Sequence, residues 1–344
     1  MTPEHPLRSA HLLGARGDGG AEAFFERLTA ALAAAGDPVL PLIRVNPTRA
    51  ARLAAAGLAP VQLGFGGPLD IFTRPRAARH LRAFRPDIVV AWMGRAARHA
   101  PRGDWVLAGR LGGYYDLRRF RHCRHLIGNT PAITAWITAQ GWPAERVHYL
   151  PNFAADLAGA TPARPDIPPA APLIVALGRL HRNKAFDVLI RALPKLPAVH
   201  ALIAGEGPER AALEALARAE GVADRLHLPG WRRDTAALLA AADLFVCPSR
   251  HEPLGNVVIE AFSAGRPVVA SDIDGPAALI AQDQTGIKVP PDDPGALADA
   301  IAALLEDRAR AARLAAAGRA VFEAEHAAAP VLARWRAGLR GMCA

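Results

Sequence analysis

The sequence predicts an α/β protein built from two doubly wound parallel-sheet domains, and three observations lead there. Its 344 residues exceed what one ordinary core accommodates and suit two. Short apolar runs alternate from end to end with Ala-, Leu- and Arg-rich helical stretches, the rhythm of repeated β-α units. The proline-rich, aperiodic stretch PNFAADLAGATPARPDIPPAAP, at 151–172, interrupts that rhythm near the middle. The expected division is a domain over 1–155, a linker over 156–171, a second domain over 172–325, and a closing helix over 326–344 that packs back toward the first domain.

In the first domain the apolar runs place strands at 9–13, 39–45, 61–65, 87–92, 104–108, 125–128 and 147–150, with helices at 20–35, 47–56, 74–84 and 130–140. After the linker, strands are expected at 172–178, 199–205, 226–228, 243–247, 267–270 and 286–289, each followed by a helix. Ligands of such sheets bind beyond the carboxyl ends of the strands, so the residues just after each strand are the candidates for function.

Composition narrows the function classes. A hydrophobic fraction of 51% with 21% charged residues fits a folded globular chain. No apolar run reaches the roughly 18 residues of a membrane span, and MTPEHPLRSAHLLGARGDGG lacks a signal-peptide core. A cytoplasmic protein without an integral anchor is expected. Cys123, Cys247 and Cys343 are too scattered for a metal or disulfide framework, although the basic surroundings of Cys123 suggest a lowered thiol pKa. The formal charge of +9 lies wholly in the first half, where residues 1–160 hold 20 Arg against 11 Asp plus Glu; residues 161–344 hold 21 cationic and 21 acidic side chains. That asymmetry points to an acidic partner or an anionic membrane surface facing the first domain. Nucleic acid is not expected, because no binding motif accompanies the charge and aromatics are few.

Four strand ends of the second half carry the chemistry: GRLHRNK at 178–184, GEGP at 205–208, PGW at 229–231 and SRHEPLGNVVIEA at 249–261. Arg179 and Lys184 supply two cations, and Leu254, Gly255, Asn256 and Val257 stand where the next helix begins. Free amides at a helix start, a glycine allowing close approach and two cations make a diphosphate site. Glu260 lies nearly two turns inside that helix among Val257, Val258, Ile259 and Ala261. A carboxylate at that depth needs a partner, and paired hydrogen bonds from vicinal ribose hydroxyls would satisfy it. Taken singly, these residues also read as a surface lysine, a turn and a half-exposed helix residue; their joint order carries the inference. A dinucleotide fingerprint fails, since G-x-G-x-x-G begun at Gly17 meets Glu22 where it needs glycine.

The ordered set GRL…K, GEGP, PGW and E-P-L-G-N-V-V-I-E resembles the donor half of family 4 glycosyltransferases, and GDGGAEAFFERLTAALA, 17–33, resembles that family's first loop and helix. The resemblance implies a GT-B fold, two Rossmann-like domains facing across a cleft, and metal-independent transfer with retained anomeric configuration. It implies that Arg179 and Lys184 bind the donor diphosphate, that Glu260 holds the ribose, and that Glu252 contacts the transferred sugar. Gly19 and Gly20 would approach the diphosphate from the other domain, and Gly205, Glu206, Gly207 and Gly230 would complete the donor site. No cofactor is implied; the UDP- or GDP-linked sugar is a substrate. The implied reaction is hexosyl transfer to a glycan or lipid-linked acceptor of the bacterial envelope, such as lipopolysaccharide, on the inner face of the cytoplasmic membrane. The sequence departs from the pattern on the acceptor side: where many members carry histidines it offers Trp92, Arg95 and Arg110, with His99 nearby. Arginine suits an anionic acceptor and cannot act as a base near neutral pH. Two alternatives share the nucleotide half, a sugar-nucleotide 2-epimerase and a non-enzymatic nucleotide-binding protein of the membrane surface. RPRAARHLRAFR at 74–85 spaces arginines by three, and YYDLRRFRHCRH at 114–125 is expected to put Arg118, Arg121, His122 and His125 on one helical face.

Overall fold

A computed structural model describes residues 6–17, 19–67, 69–164 and 166–344. The chain divides into two units, residues 1–153 with 328–344, and residues 154–327. In the first, β1 (Ser9–Leu13), α1 (Gly20–Ala34), β2 (Val39–Arg44), α2 (Pro47–Ala55), β3 (Val61–Leu63) and α3 (Thr73–Phe84) lead to β4 (Ile88–Trp92). There follow α4 (Met93–His99), β5 (Val106–Leu111), β6 (His125–Gly128), α5 (Pro131–Ala139) and β7 (Val147–Tyr149). The second unit begins with β8 (Leu173–Leu177), α6 (Phe186–Ala192), β9 (His200–Ala204), α7 (Arg210–Ala219), β10 (Leu226–His227) and α8 (Thr235–Ala241). It continues through β11 (Leu244–Cys247), α9 (Asn256–Ser263), β12 (Val268–Ser271), α10 (Asp274–Leu279), β13 (Ile287–Val289), α11 (Pro294–Glu306) and α12 (Arg308–Val321). A π-helical turn, Phe322–His326, precedes α13 (Ala328–Cys343), which belongs to the first unit.

All described strand pairs are parallel, in the orders β3-β2-β1-β4-β5-β6-β7 and β10-β9-β8-β11-β12-β13. Runs such as IVVAW in β4 and LIVAL in β8 are buried at every position, as strands covered by helices on both faces must be. Several helices start where a side chain caps them. Asn46 accepts from the Arg49 amide, Thr130 from Ile133 and Asp293 from Ala296, each before a proline in the first turn. In both sheets the order reverses beside the first strand, between β1 and β4 and between β8 and β11, and those points fix where a ligand can enter.

The first unit's core is organised around aromatic side chains. In α1, Phe24, Phe25, Leu28 and Leu32 repeat at helical spacing and are buried against the sheet. Phe24 meets Trp92 at 5.8 Å between ring centroids, and Trp92 stacks on Trp335 of α13 at 6.1 Å, with 2° between planes. The Trp335 indole donates to the Pro151 carbonyl at 2.8 Å, and that of Trp92 to His11 Nδ1 at 3.3 Å. Burial pushes the His11 pKa down to about 3, so the imidazole is neutral and free to accept.

Three local expectations are corrected. A short helix, α4, begins directly after Trp92, with Met93 at φ +63°, where no helix was expected. Residues 114–125 do not form a helix: a single 3-10 turn, Leu117–Phe120, is followed by β6, and His125 is buried in the sheet. Cys123 is buried too, which raises its thiol pKa to about 12 rather than lowering it, since desolvation disfavours the thiolate. Residues 154–164 and 166–172 lack regular structure; the start of this segment is tied to the second unit by Arg319, which donates to the Asp156 carboxylate at 2.7 Å, and by the Ala154 amide, which donates to the His326 carbonyl at 3.1 Å.

Trp335→Ala removes a fully buried ring and its hydrogen bond from the first unit. A loss of about 3–5 kcal/mol is expected, visible as a lower midpoint in urea for the first unit's transition; an unchanged midpoint would show that α13 contributes little to this core.

Candidate active site

The second unit gathers the sequence's motif residues at the carboxyl edge of its sheet. The loop after β8 and the loop after β9 run as an extension of the strand pairing: Gly178 N–H donates to the Ala204 carbonyl, Leu180 to Glu206 and Glu209 to Leu180, at 3.1, 3.0 and 3.1 Å. The backbones lie so close that a Cβ on Gly205 would sit 1.8 Å from the Gly178 oxygen, and one on Gly207 would sit 2.2 Å from the Leu180 oxygen. Only glycine fits there. The Gly205 amide donates to the Gly230 carbonyl at 2.9 Å, so the PGW loop joins the same stack. Glu206 turns its carboxylate to Arg210, 2.8 Å away. Gly205, Gly207 and Gly230 thus shape the loops through their backbones, and Glu206 is engaged within its own loop and helix.

Across the switch point, the loop after β11 is fastened to the loop after β8. The Arg250 and His251 amides both donate to the Asn183 carbonyl, at 2.8 and 3.2 Å. The Arg250 guanidinium forks onto both Asp187 oxygens at 2.8 Å and reaches Asp292 at 2.5 Å. These pairs raise the arginine's pKa and hold Asp187 below the usual carboxylate range. Neither Arg250 nor Asp187 was foreseen; the signal was an arginine directly before H-E-P-L-G-N and an aspartate three residues beyond Lys184.

This fastening brings Lys184 to Glu252. The aliphatic part of Lys184 lies over Gly178, and its ammonium is ion-paired with the Glu252 carboxylate, both side chains being largely buried. Burial, the largest single influence, opposes the charge on Lys184, but the field and hydrogen bond of Glu252 together with Cys247 and Glu260 outweigh it, and the pKa is raised. The Glu252 carbonyl accepts from the Gly275 amide at 2.9 Å, which ties the EPLG loop to the start of α10. Gly255, at φ +81°, is the N-cap of α9, and no side chain caps that end. Leu254 is buried, and Asn256 and Val257, in the first turn of α9, are half-buried. Glu260 is the fifth residue of α9, one turn inside rather than nearly two, and half-buried. Arg179 is exposed, with no ion pair among the described residues. Lys184, Glu252, Glu260 and the α9 N-terminus therefore form one constellation at the β8/β11 switch point, a place suited to a diphosphate and the hydroxyls beside it.

In the first unit, Gly19 and Gly20 are exposed at the uncapped start of α1. Arg95 is exposed in α4 and donates to the Phe65 carbonyl at 3.2 Å. Trp92 and Arg110, expected at the acceptor, are fully buried. The reason for Arg110 is strand length: β5 extends to Leu111, so Arg110 lies within the sheet, its guanidinium 4.8 Å from the Trp92 ring centroid and 2.7 Å from Asn152 Oδ1. Burial lowers its pKa to about 10, which still leaves it a cation. His99 is also buried, 3.2 Å from the Gly66 carbonyl, in a role within the core.

Comparison with known proteins gives a consistent set of matches. Residues 171–307 match the family described as glycosyl transferases group 1. The lipopolysaccharide core biosynthesis glycosyltransferases LpsE and LpsD of Rhizobium meliloti (strain 1021) are 35% and 34% identical to the chain. Each alignment covers 88% of this chain, with 90% and 89% of the respective relatives. Among solved structures, Anabaena Alr3699/HepE in complex with UDP superposes with a TM-score of 0.84 at 20% identity, covering 97% of this chain and all of that one. The two Rossmann-like domains are those of the GT-B fold.

Gly205→Ala should disrupt the loop stack and with it the placement of Lys184. Thermal unfolding should fall by several degrees and nucleoside diphosphate affinity by more than tenfold, while Gly341→Ala, with open space around it on α13, should change neither. Equal behaviour of the two variants would remove the close approach from the account.

Proposed function

The chain belongs to the glycosyl transferases group 1 family, and we propose that it moves a hexose, with retained anomeric configuration, from a UDP- or GDP-linked sugar to a lipopolysaccharide core glycan on the inner face of the cytoplasmic membrane. The observation that carries this reading is the Lys184–Glu252 pair beside Glu260 and the α9 N-terminus. The similarity to LpsE and LpsD supports the acceptor class, and the UDP bound to the Anabaena relative supports a nucleoside diphosphate. The charge surplus of residues 1–160 supports an anionic membrane as the place of work. No helix of the described residues is long and apolar enough to cross a membrane.

In this reading the diphosphate lies against the first amides of α9, with Arg179 and Lys184 as its counter-charges. As the glycosidic bond to the phosphate lengthens, negative charge grows on the leaving oxygen, and these fixed donors stabilise it without reorganising. The acceptor hydroxyl attacks the anomeric carbon from the side of the departing phosphate, whose oxygen takes the hydroxyl proton, so configuration is kept. Glu252 exchanges its contact with Lys184 for hydroxyls of the hexose, while Glu260 accepts from the ribose hydroxyls. Protein cations carry the leaving group's charge, and the transfer needs no metal.

Two measurements test this division of roles. Glu260→Gln should weaken binding of the free nucleoside diphosphate by roughly 1–3 kcal/mol, whereas Glu252→Gln should spare that affinity and lower kcat; titration calorimetry with UDP and GDP separates them, and equal losses would refute the assignment. EDTA should leave transfer unchanged, and Lys184→Ala should lower kcat. Activity lost to EDTA and restored by magnesium or manganese would replace the cationic site with a metal.

A further inference from the structure

We propose that residues 69–72 and the first turn of α3 form an insertion surface for an anionic lipid bilayer, in which Leu69, Ile71 and Phe72 enter the membrane and Arg74, Arg76, Arg102 and Arg121 bind its phosphates. This rests on the membrane reading given above and identifies the surface that would perform it.

Apolar exposure is concentrated there. Seven large apolar side chains are strongly exposed among the described residues, and three fall within four positions: Leu69 at 92%, Ile71 at 71% and Phe72 at 63%. A monomeric surface has no internal use for such a cluster. The turn around Asp70 is also held in shape. The Asp70 carboxylate accepts from the amides of Gly66, Phe72 and Thr73 at 2.6, 3.1 and 3.0 Å and from the Thr73 hydroxyl at 2.6 Å, while that hydroxyl accepts from the Phe65 amide at 2.9 Å. The one acidic group at the tip is thus consumed in fixing the turn, and the apolar side chains beside it are presented outward from a fixed turn.

Charge complementarity selects the partner. In α3 the buried positions are Thr73, Ala77, Ala78 and Leu81, and the exposed face carries Arg74, Arg76, Arg79 and Arg82 without a carboxylate. The Arg76 guanidinium lies over the Phe72 ring, 5.7 Å from its centroid, so cation and apolar tip are adjacent. Arg74, Arg102 and Arg121 all act on half-buried His122, whose pKa falls first through burial and then through these three charges. The two basic stretches are therefore one patch. Arg118, by contrast, is paired with Asp116 at 2.9 Å and adds little net charge. An apolar tip ringed by arginines fits a bilayer of acidic phospholipids, whose phosphates lie just above the acyl chains.

The test uses the full chain with Phe72→Trp as reporter and vesicles of phosphatidylcholine with or without phosphatidylglycerol. Tryptophan emission at that site should shift to the blue on the anionic vesicles only. Leu69→Ser with Ile71→Ser should lower vesicle affinity at least tenfold at 0.1 M salt, and so should Arg74→Glu with Arg121→Glu, both leaving UDP affinity unchanged as a control for folding. If the charge reversals release the protein but the serine variant binds as the parent does, without an emission shift, the insertion surface is overturned while the membrane reading stands. If the parent chain ignores anionic vesicles at low salt, the membrane reading itself fails. A blue shift that appears with protein concentration and no lipid would make the tip a contact between copies of the chain and overturn the lipid assignment.

Discussion

The loops after β8 and β9 lie in contact backbone to backbone, and the rest of the donor edge depends on that contact. Any side chain at 205 or 207 would occupy the space of a carbonyl oxygen on the facing loop. Because the loops can close, the three hydrogen bonds between them fix the turn that ends in Lys184. Fixing Lys184 in turn gives Glu252 a partner, and Arg250, Asp187 and the Asn183 carbonyl hold the second loop at the right height. Burial works against the charge of a cation this deeply placed. Glu252, with Cys247 and Glu260, more than offsets that cost, so the cation and its counter-charge are held in place together.

The first unit solves a different problem, that of covering both faces of a seven-stranded sheet. Its solution is the layer formed by Phe24, Trp92 and Trp335, with each indole N–H bonded. Arg110 is accommodated in the same layer because aromatic faces and one amide oxygen replace part of its hydration. Its burial shows how a residue type suited to an anionic ligand can be used as packing.

The strands were legible in the sequence because parallel strands buried on both faces leave continuous apolar runs, and most boundaries agree within one or two residues. The donor motifs were legible as a set, since each follows a strand end and the sheet order brings those ends together. What could not be read was the reason for each glycine: Gly205 and Gly207 look like a turn, and only the facing backbone shows that they permit contact between loops. Arg110 was misplaced because a β5 ending at 108 would put it in a ligand-facing loop, whereas three more residues of strand turn it inward; Trp92 ends β4 as expected but packs inward on Phe24 and Trp335. Likewise, the arginines at 118–121 have the spacing of a helix, but the nearby start of β6 leaves room only for one 3-10 turn. The pairing of Arg250 with Asp187 spans 63 residues and has no local signature.

The last helix, α13, completes the core of the unit with which the chain begins, and this sets an order of assembly on the ribosome. Residues 154–327 can bury both faces of their own sheet as soon as they emerge. The first 153 residues, although made earlier, must wait for Val331, Trp335, Leu339 and Met342. Until α13 emerges, Phe24 and Trp92 lack the ring that covers them, and the nascent chain carries an exposed aromatic surface for the time needed to translate a whole domain. The unit that is started first is finished only after the second, and the sixteen residues of α13 decide when its aromatic core is covered.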